Sequence, residues 1–176
     1  MKKFFIGIFA LLFASQILVA QNRDGLNKIG GYVGWPIGLS YSHNFTKVDQ
    51  IDLVASFAIP YTHSFGFRAD VGYLRSVFEP VVGGVECPLE VGGGVGIIPI
   101  WYNTRYVDSY GNVISKPAFV LGMNIFADLR WEVFFSNVPN FNLFLDFAPG
   151  VGLSFHKHAT IADFSYRAGV GLRYAF

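Results

Sequence analysis

The sequence predicts an all-β protein, an antiparallel up-and-down transmembrane barrel of about eight strands. Three observations support this prediction. Six separate segments alternate between large apolar residues and small or polar ones, only 14% of the 176 residues are charged, and glycine (20 residues) and aromatic residues (18%) are abundant. Successive side chains of a strand point to opposite faces of its sheet, so this alternation indicates two-faced strands. A soluble domain typically carries about 25% charged residues, well above the fraction in this chain.

The N-terminal segment has the architecture of a secretory signal peptide. Lys2 and Lys3 precede an apolar stretch at residues 4–13, and a second short apolar stretch ends at Ala20, so we expect cleavage after Ala20. The first stretch is shorter than the roughly 20 residues that a membrane-spanning helix needs. The sequence therefore predicts that residues 1–20 are removed on export and that residues 21–176 form a single barrel domain.

The predicted strands follow one another along the rest of the chain. The first is rich in glycine, and residues 34–36 after it form either a tight turn into the second strand or a bulge within one long strand. The fifth is less regular because residues 92–94 are all glycine. In the last strand, Phe164 and Tyr166 belong to an apolar face, whereas Arg167 belongs to the other face. The predicted strands are residues 29–35, 37–45, 51–59, 65–73, 91–101, 119–133, 141–155 and 164–176.

The volume of a small barrel decides which face points inward. A barrel of about eight strands has an interior just wide enough for its inward side chains. The aromatic face is too bulky for that space, so it must point outward, where its large apolar area requires hydrocarbon rather than water. A β-sandwich would also alternate, but its solvent-facing side would normally carry many lysines and glutamates. A closed membrane barrel also leaves no unpaired strand edge in lipid.

The inward face carries charged residues of both signs. Buried charges persist only when they are paired and hydrogen-bonded, so we expect an interlocked ion-pair network that fills the lumen. The alternative is a polar path for ions or small solutes, as in a narrow porin or transporter. The predicted network consists of Arg68, Asp70, Asp128, Arg130, Glu132, Asp146, Asp163, Arg167 and Arg173.

The last eight residues, Gly169-Val170-Gly171-Leu172-Arg173-Tyr174-Ala175-Phe176, resemble the C-terminal signal of Gram-negative outer-membrane proteins. The chain after residue 20 resembles the small eight-stranded barrels of the OmpX and OmpA-barrel kind. This resemblance implies an outer-membrane location, lipid as the surrounding medium, and assembly by the outer-membrane insertion machinery, with Tyr174 and Phe176 in the assembly signal.

In such barrels the C-terminus faces the periplasm and the long loops lie outside the cell. This orientation places residues 60–63, 103–117 and 155–160 outside, where they could bind an extracellular ligand. It makes residues 46–50 and 136–140 periplasmic turns. Residues 76–86 also fall on the periplasmic side, where a segment of this length is unusual.

No catalytic, cofactor-binding or metal-binding residue is predicted. His156 and His158, with Ser154 and Asp163 nearby, invite comparison with barrel lipid A deacylases, which hold Ser, His and an acid within hydrogen-bonding reach. Ser154 is assigned to the lumen, however, and no sequence pattern groups these residues. The lone Cys87 excludes an intramolecular disulfide, and the formal net charge of +1 does not suggest a nucleic-acid partner.

The sequence therefore predicts a monomeric outer-membrane barrel with a structural or surface-interaction role and no catalysis. Two alternatives remain: a narrow porin or transporter, and a lipid A-modifying barrel enzyme.

Overall fold

The computed structural model describes residues 26–58, 65–107, 110–135, 137–138, 140–156 and 159–176. The predicted signal peptide at residues 1–20 lies outside the described residues. Described strands form a closed antiparallel barrel of eight strands and one short two-stranded hairpin. Among the described residues there is no helix long and apolar enough to cross a bilayer.

The strands are β1 (Asn27–Trp35), β2 (Ile37–Asn44), β3 (Asp49–Ala58), β4 (Phe65–Phe78), β5 (Val81–Val82), β6 (Val85–Glu86), β7 (Leu89–Val107), β8 (Val113–Phe134), β9 (Phe141–His156) and β10 (Ala159–Ala175). Around the ring the order is β1-β2-β3-β4-β7-β8-β9-β10, and β10 pairs with β1 to close it. The predicted all-β, antiparallel, eight-stranded barrel is confirmed.

β1 and β2 are separate strands joined by a turn at Pro36. β1 and β2 pair with each other in antiparallel register, with Tyr32 opposite Gly38 and Lys28 opposite Ser42. A bulge within one long strand would give no such pairing, so the structure decides between the two sequence-based alternatives in favour of the turn.

The apolar face points outward and the polar face points into the lumen. Along β8, exposed and buried residues alternate without a break from Phe119 to Glu132. In β10 the exposed fraction of Phe164 is 67%, whereas that of Arg167 is 1%. This is the arrangement that the volume of the barrel interior predicts.

The two ends of the barrel differ in height. We call the end that holds Asn27 and Phe176 the terminal end, and the other the long-strand end. β1, β2 and β3 contain 9, 8 and 10 residues, whereas β7, β8, β9 and β10 contain 19, 22, 16 and 17. The four long strands therefore rise above the β1–β2 turn.

The predicted outer loop at residues 103–117 is mostly strand. β7 and β8 remain paired until Val107 lies opposite Val113. The sequence prediction stopped the strands too early because Asn103, Thr104 and Arg105 interrupt the apolar alternation. This part of the hairpin is exposed on both faces, so alternation does not mark its true end.

The long segment at the terminal end, residues 76–86, is also structured. β4 runs to Phe78, and β5 and β6 pair across Gly83 and Gly84, whose φ angles are 62° and 82°. Glycine adopts such positive φ angles without steric cost, which suits a two-residue hairpin turn.

Candidate functional site

The barrel lumen brings together the buried charged side chains of the described residues. Each of them is 6% exposed or less, and they come from seven of the eight barrel strands. We call this set the lumen charge network: Lys28, Asp52, Arg68, Asp70, Glu90, Asp128, Arg130, Glu132, Asp146, Arg167 and Arg173.

Arg130 binds two carboxylates from other strands. Its Nη1 and Nη2 atoms donate to the two oxygens of Asp52 at 2.8 and 2.7 Å. Its Nε and Nη2 atoms also donate to Asp146 at 3.1 and 2.9 Å. A planar guanidinium matches the two oxygens of a carboxylate, so the Arg130–Asp52 pair is a strong bidentate contact. It joins β8 to β3 across the lumen.

Arg167 binds three carboxylates. Its Nε atom donates to Asp146 at 2.6 Å, Nη1 to Asp70 at 2.9 Å and Nη2 to Asp128 at 2.7 Å. These carboxylates lie on β9, β4 and β8, and the arginine lies on β10. One side chain therefore ties together strands on different sides of the ring.

Arg68 connects β4 to β10 nearer the long-strand end. Its Nε atom donates to Asp70 at 2.9 and 2.7 Å, and its Nη1 atom donates to Ser165 Oγ at 3.1 Å and to the Tyr166 carbonyl at 3.2 Å. The backbone of β10 is thus a hydrogen-bond acceptor for the network.

Glu132 organises the network nearer the terminal end. It accepts from Lys28 Nζ at 3.0 Å and from Asn142 Nδ2 at 2.7 Å, and it pairs with Arg173. Gln50 lies beside these residues: it accepts from Lys28 at 3.4 Å and donates to Glu90 at 2.5 Å.

Two aromatic rings lie against the guanidinium groups inside the lumen. The ring of Phe126 lies 5.7 Å from the guanidinium of Arg68 and 5.3 Å from that of Arg167. Phe144 lies 5.2 Å from Arg130 and 4.4 Å from Arg173. The faces of these rings attract cations. The lumen therefore contains packed rings as well as ion pairs.

Eight of the nine charged residues that the sequence singled out belong to the network. Asp163 does not: it is exposed, and its Oδ1 atom accepts the backbone N–H of Phe164 at 2.7 Å. The seam between β1 and β10 ends where Trp35 lies opposite Ala168. Residue 163 therefore lies beyond the level at which the barrel closes.

Sequence reasoning missed Lys28, Asp52 and Glu90 as network members. Lys28 precedes the predicted start of the first strand by one residue. The alternation places Asp52 and Glu90 on the polar, inward face of their strands, but the predicted network did not include them. Their partners come from distant strands, so only the folded barrel shows that they join one network.

The two residues of the predicted assembly signal, Tyr174 and Phe176, lie at or beside the seam of the barrel. The N–H of Phe176 donates to the Asn27 carbonyl at 2.8 Å, and the N–H of Asn27 donates to the Phe176 carbonyl at 3.1 Å. The hydroxyl of Tyr174 accepts from Asn140 at 3.1 Å, and its ring meets that of Phe141 edge to face at 5.1 Å.

The other groups considered for chemistry are a metal site, the single cysteine and the histidine pair. They contain no group of three or more His, Cys, Asp or Glu arranged to hold a metal ion. Cys87 is buried and not in a disulfide. The side chains of His156, Lys157 and His158 lie outside the described part of the chain.

Comparisons with known proteins support the fold. No protein-family model matches the sequence, and neither does any curated protein. The fold is similar to that in the crystal structure of the N-terminal β-barrel domain of Pseudomonas aeruginosa OprF, with a TM-score of 0.52 and 18% sequence identity. The match covers 85% of this chain and 95% of that one. At this identity the similarity establishes a common architecture only.

Proposed function

We propose that this chain is a small outer-membrane β-barrel protein whose lumen is plugged, and that it has a structural or surface-interaction role without catalysis. The observation that carries this proposal is the lumen charge network, in which Arg130 and Arg167 each join three or more strands and are almost fully enclosed.

The exposed apolar face supports the membrane location. Large apolar side chains cover the outside of the barrel wall from β1 to β10, among them Val33, Ile125 and Val151. Each exposed square ångström of apolar surface costs about 25 cal/mol in water. A closed barrel is one of the two structures that satisfy every backbone hydrogen bond in a bilayer.

The resemblance of the C-terminal segment to outer-membrane signals sets the proposed orientation. The terminal end lies in the periplasm, and the hairpins at the long-strand end lie outside the cell, where they are the surface for an extracellular ligand. In this proposal residues 1–20 are a cleaved signal peptide, residues 21–176 are the mature monomer, and Tyr174 and Phe176 are recognised by the insertion machinery.

The contacts within the lumen favour a plug over a pore. A path for ions through the lumen between β3, β4, β8 and β10 would require several charge-assisted hydrogen bonds to break together. Examples are the bonds of Arg167 with Asp70, Asp128 and Asp146. Leaving buried charges without partners is strongly unfavourable. We therefore expect no free path for ions past the lumen charge network.

Conductance in planar bilayers tests the proposal. We expect residues 21–176, refolded and inserted, to give no stable single-channel steps, whereas a porin inserted under the same conditions gives them. The shift in gel mobility on heating, which folded barrels show, confirms that the inserted protein is folded. Uniform, long-lived steps from the folded protein would refute the plug and favour the narrow porin.

A further inference from the structure

An exposed apolar cluster lies at the terminal end, outside the regular barrel wall. Its members are 59–63% exposed, although water-facing segments of this kind are normally polar. We call this cluster the terminal apolar patch: Val77, Phe78 and Val82.

A bulge at the end of β4 creates the first half of the patch. Ser76 lies opposite Glu90 and Phe78 lies opposite Leu89, so Val77 is an extra residue. Strict alternation would turn Phe78 into the lumen. The bulge instead pairs it with outward-facing Leu89, so two adjacent apolar side chains point outward.

The β5–β6 hairpin supplies the second half and is held in place. The N–H of Cys87 donates to the Pro80 carbonyl at 2.9 Å, which closes the base of the hairpin. The indole N–H of Trp131 donates to the Cys87 carbonyl at 3.1 Å, which ties that base to the outer face of β8. The exposure of Val82 is therefore built into an ordered element.

The patch is continuous with the outward face of the barrel. Phe78 lies opposite Leu89, and Leu89 lies opposite Trp131, so the three share one outward row. Trp131 is itself exposed on the apolar outside of β8. Aromatic residues at this position in a membrane barrel mark the boundary between hydrocarbon and water.

Basic side chains lie next to the patch. Arg75 precedes Val77 by two residues on the outward face of β4, and its side chain is 59% exposed although it lies 3.3 Å from Asp49. The turn after β2, which contains exposed Lys47, is attached to β4 by a bond from the Ser76 N–H to the Val48 carbonyl at 2.7 Å. Such cations suit lipid phosphates.

We propose that the terminal apolar patch binds the phospholipids of the periplasmic leaflet, with Val82 of the hairpin in the interfacial zone and Arg75 and Lys47 at the phosphates. This inference rests on the proposed function, because it needs the barrel to lie in a bilayer with its terminal end in the periplasm. The other face of the hairpin points towards the lumen: Val81 lies opposite Glu86, and both line, with Glu79, a cavity of about 240 Å³ at the mouth of the lumen.

Fluorescence quenching in vesicles of phosphatidylethanolamine and phosphatidylglycerol tests the inference. In a Cys87→Ser background, single cysteines replace Val82, Ile125 in the outward face of β8, or Tyr110 in the exposed β7–β8 turn, and each carries an environment-sensitive dye. We expect spin-labelled phospholipids to quench the dyes at Val82 and Ile125, and aqueous iodide to quench the dye at Tyr110.

The Ile125 position separates failure of the inference from failure of the proposed function. If iodide quenches the dye at Val82 as strongly as that at Tyr110 while lipid quenches Ile125, the barrel is in the bilayer but the patch is in water, and the inference is wrong. If lipid does not quench the dye at Ile125, the membrane location is itself wrong, and the inference falls with it.

Discussion

At the scale of single residues, Asp146 and Asp163 show how position along a strand decides what a charge does. Both occupy polar positions of alternating strands. Asp146 accepts hydrogen bonds from Arg130 and Arg167 and is buried, whereas Asp163 is exposed and bonds only to its own strand among the contacts described. The alternation assigns both side chains to the lumen, but in the structure only Asp146 is buried there.

We therefore predict opposite outcomes for two matched substitutions. Asp146→Asn leaves two buried guanidinium groups short of a counter-charge and should lower the free energy of unfolding by about 3–5 kcal/mol. Asp163→Asn should change it by about 0–1 kcal/mol, as for an exposed charge. Urea unfolding of the refolded proteins in lipid vesicles measures both, and equal losses would contradict the assignment of Asp163 outside the network.

Gly171 leaves space in the lumen for the aromatic ring of Phe144. Gly171 lies opposite Phe144, and a Cβ atom added to Gly171 would overlap that ring and approach the Gly31 carbonyl to 2.6 Å. A Cβ at Gly152 would meet its nearest neighbour, Ser165 Cβ, at an ordinary 3.5 Å. Glycine at position 171 therefore makes room for a ring that contacts Arg130 and Arg173.

The expected result is that Gly171→Ala costs about 1–3 kcal/mol of unfolding free energy, because the ring must leave its position between the two guanidinium groups. Gly152→Ala should change this quantity by about 0.5 kcal/mol or less. Equilibrium unfolding under identical conditions compares them. Similar stabilities for the two variants would mean that the ring can move without loss.

At the scale of strands, the sequence predicts the faces well and the ends poorly. Alternation identified the outward and inward faces because large apolar residues occupy one face and small or polar residues the other. Beyond the level at which the barrel closes, β7 and β8 are exposed on both faces, so the pattern that revealed the strand disappears while the backbone pairing continues to Val107 and Val113. Strand length there depends on pairing, which a single sequence does not display.

A proline in β9, Pro149, coincides with an interruption in the pairing of β9 with β8. Pro149 lies within β9, and the ladder between β8 and β9 is interrupted between the Phe126–Gly150 and Leu129–Phe147 pairs. Proline has no N–H to donate to a neighbouring strand. The other ladder of β9 is unbroken, with Pro149 opposite Tyr166. The missing donor thus weakens one side of the strand only.

The long hairpin should be dispensable for folding. Replacing residues 105–115 by Asn-Gly would join Thr104 to Lys116, which already lie opposite each other, through a favoured two-residue turn. All pairs of β7 and β8 down to Leu89 and Trp131 remain, so we expect refolding and a heat-dependent gel shift as in the parent protein. Ile125→Pro, which removes a donor in the middle of β8, should lower the fraction of protein that refolds and shows the shift.

At the scale of the whole molecule, the ion pairs connect strands that are not neighbours in the barrel. Ladder hydrogen bonds connect each strand to its two neighbours, whereas Arg130 connects β8 to β3 and Arg167 connects β10 to β4. Sequence alternation could place these charges inside the barrel. It could not pair them, because each pairing depends on register and on the stagger of the closed ring.

Closure of that ring by the last residue gives a prediction that separates stability from assembly. Phe176 contributes two backbone hydrogen bonds to Asn27, at the end of a seam that contains eight further residue pairs. Deleting Phe176 should therefore cost only about 1–3 kcal/mol when the purified protein is refolded into detergent or lipid. In cells, the same deletion should strongly reduce the amount in the outer membrane, because the proposed recognition signal has lost its terminal aromatic residue.

Substituting Phe155, an exposed aromatic residue at the long-strand end, by Ala is the control and should leave that amount unchanged. If the deletion reduced refolding in vitro as severely as assembly in cells, the role of Phe176 would be closure of the barrel rather than recognition by the insertion machinery.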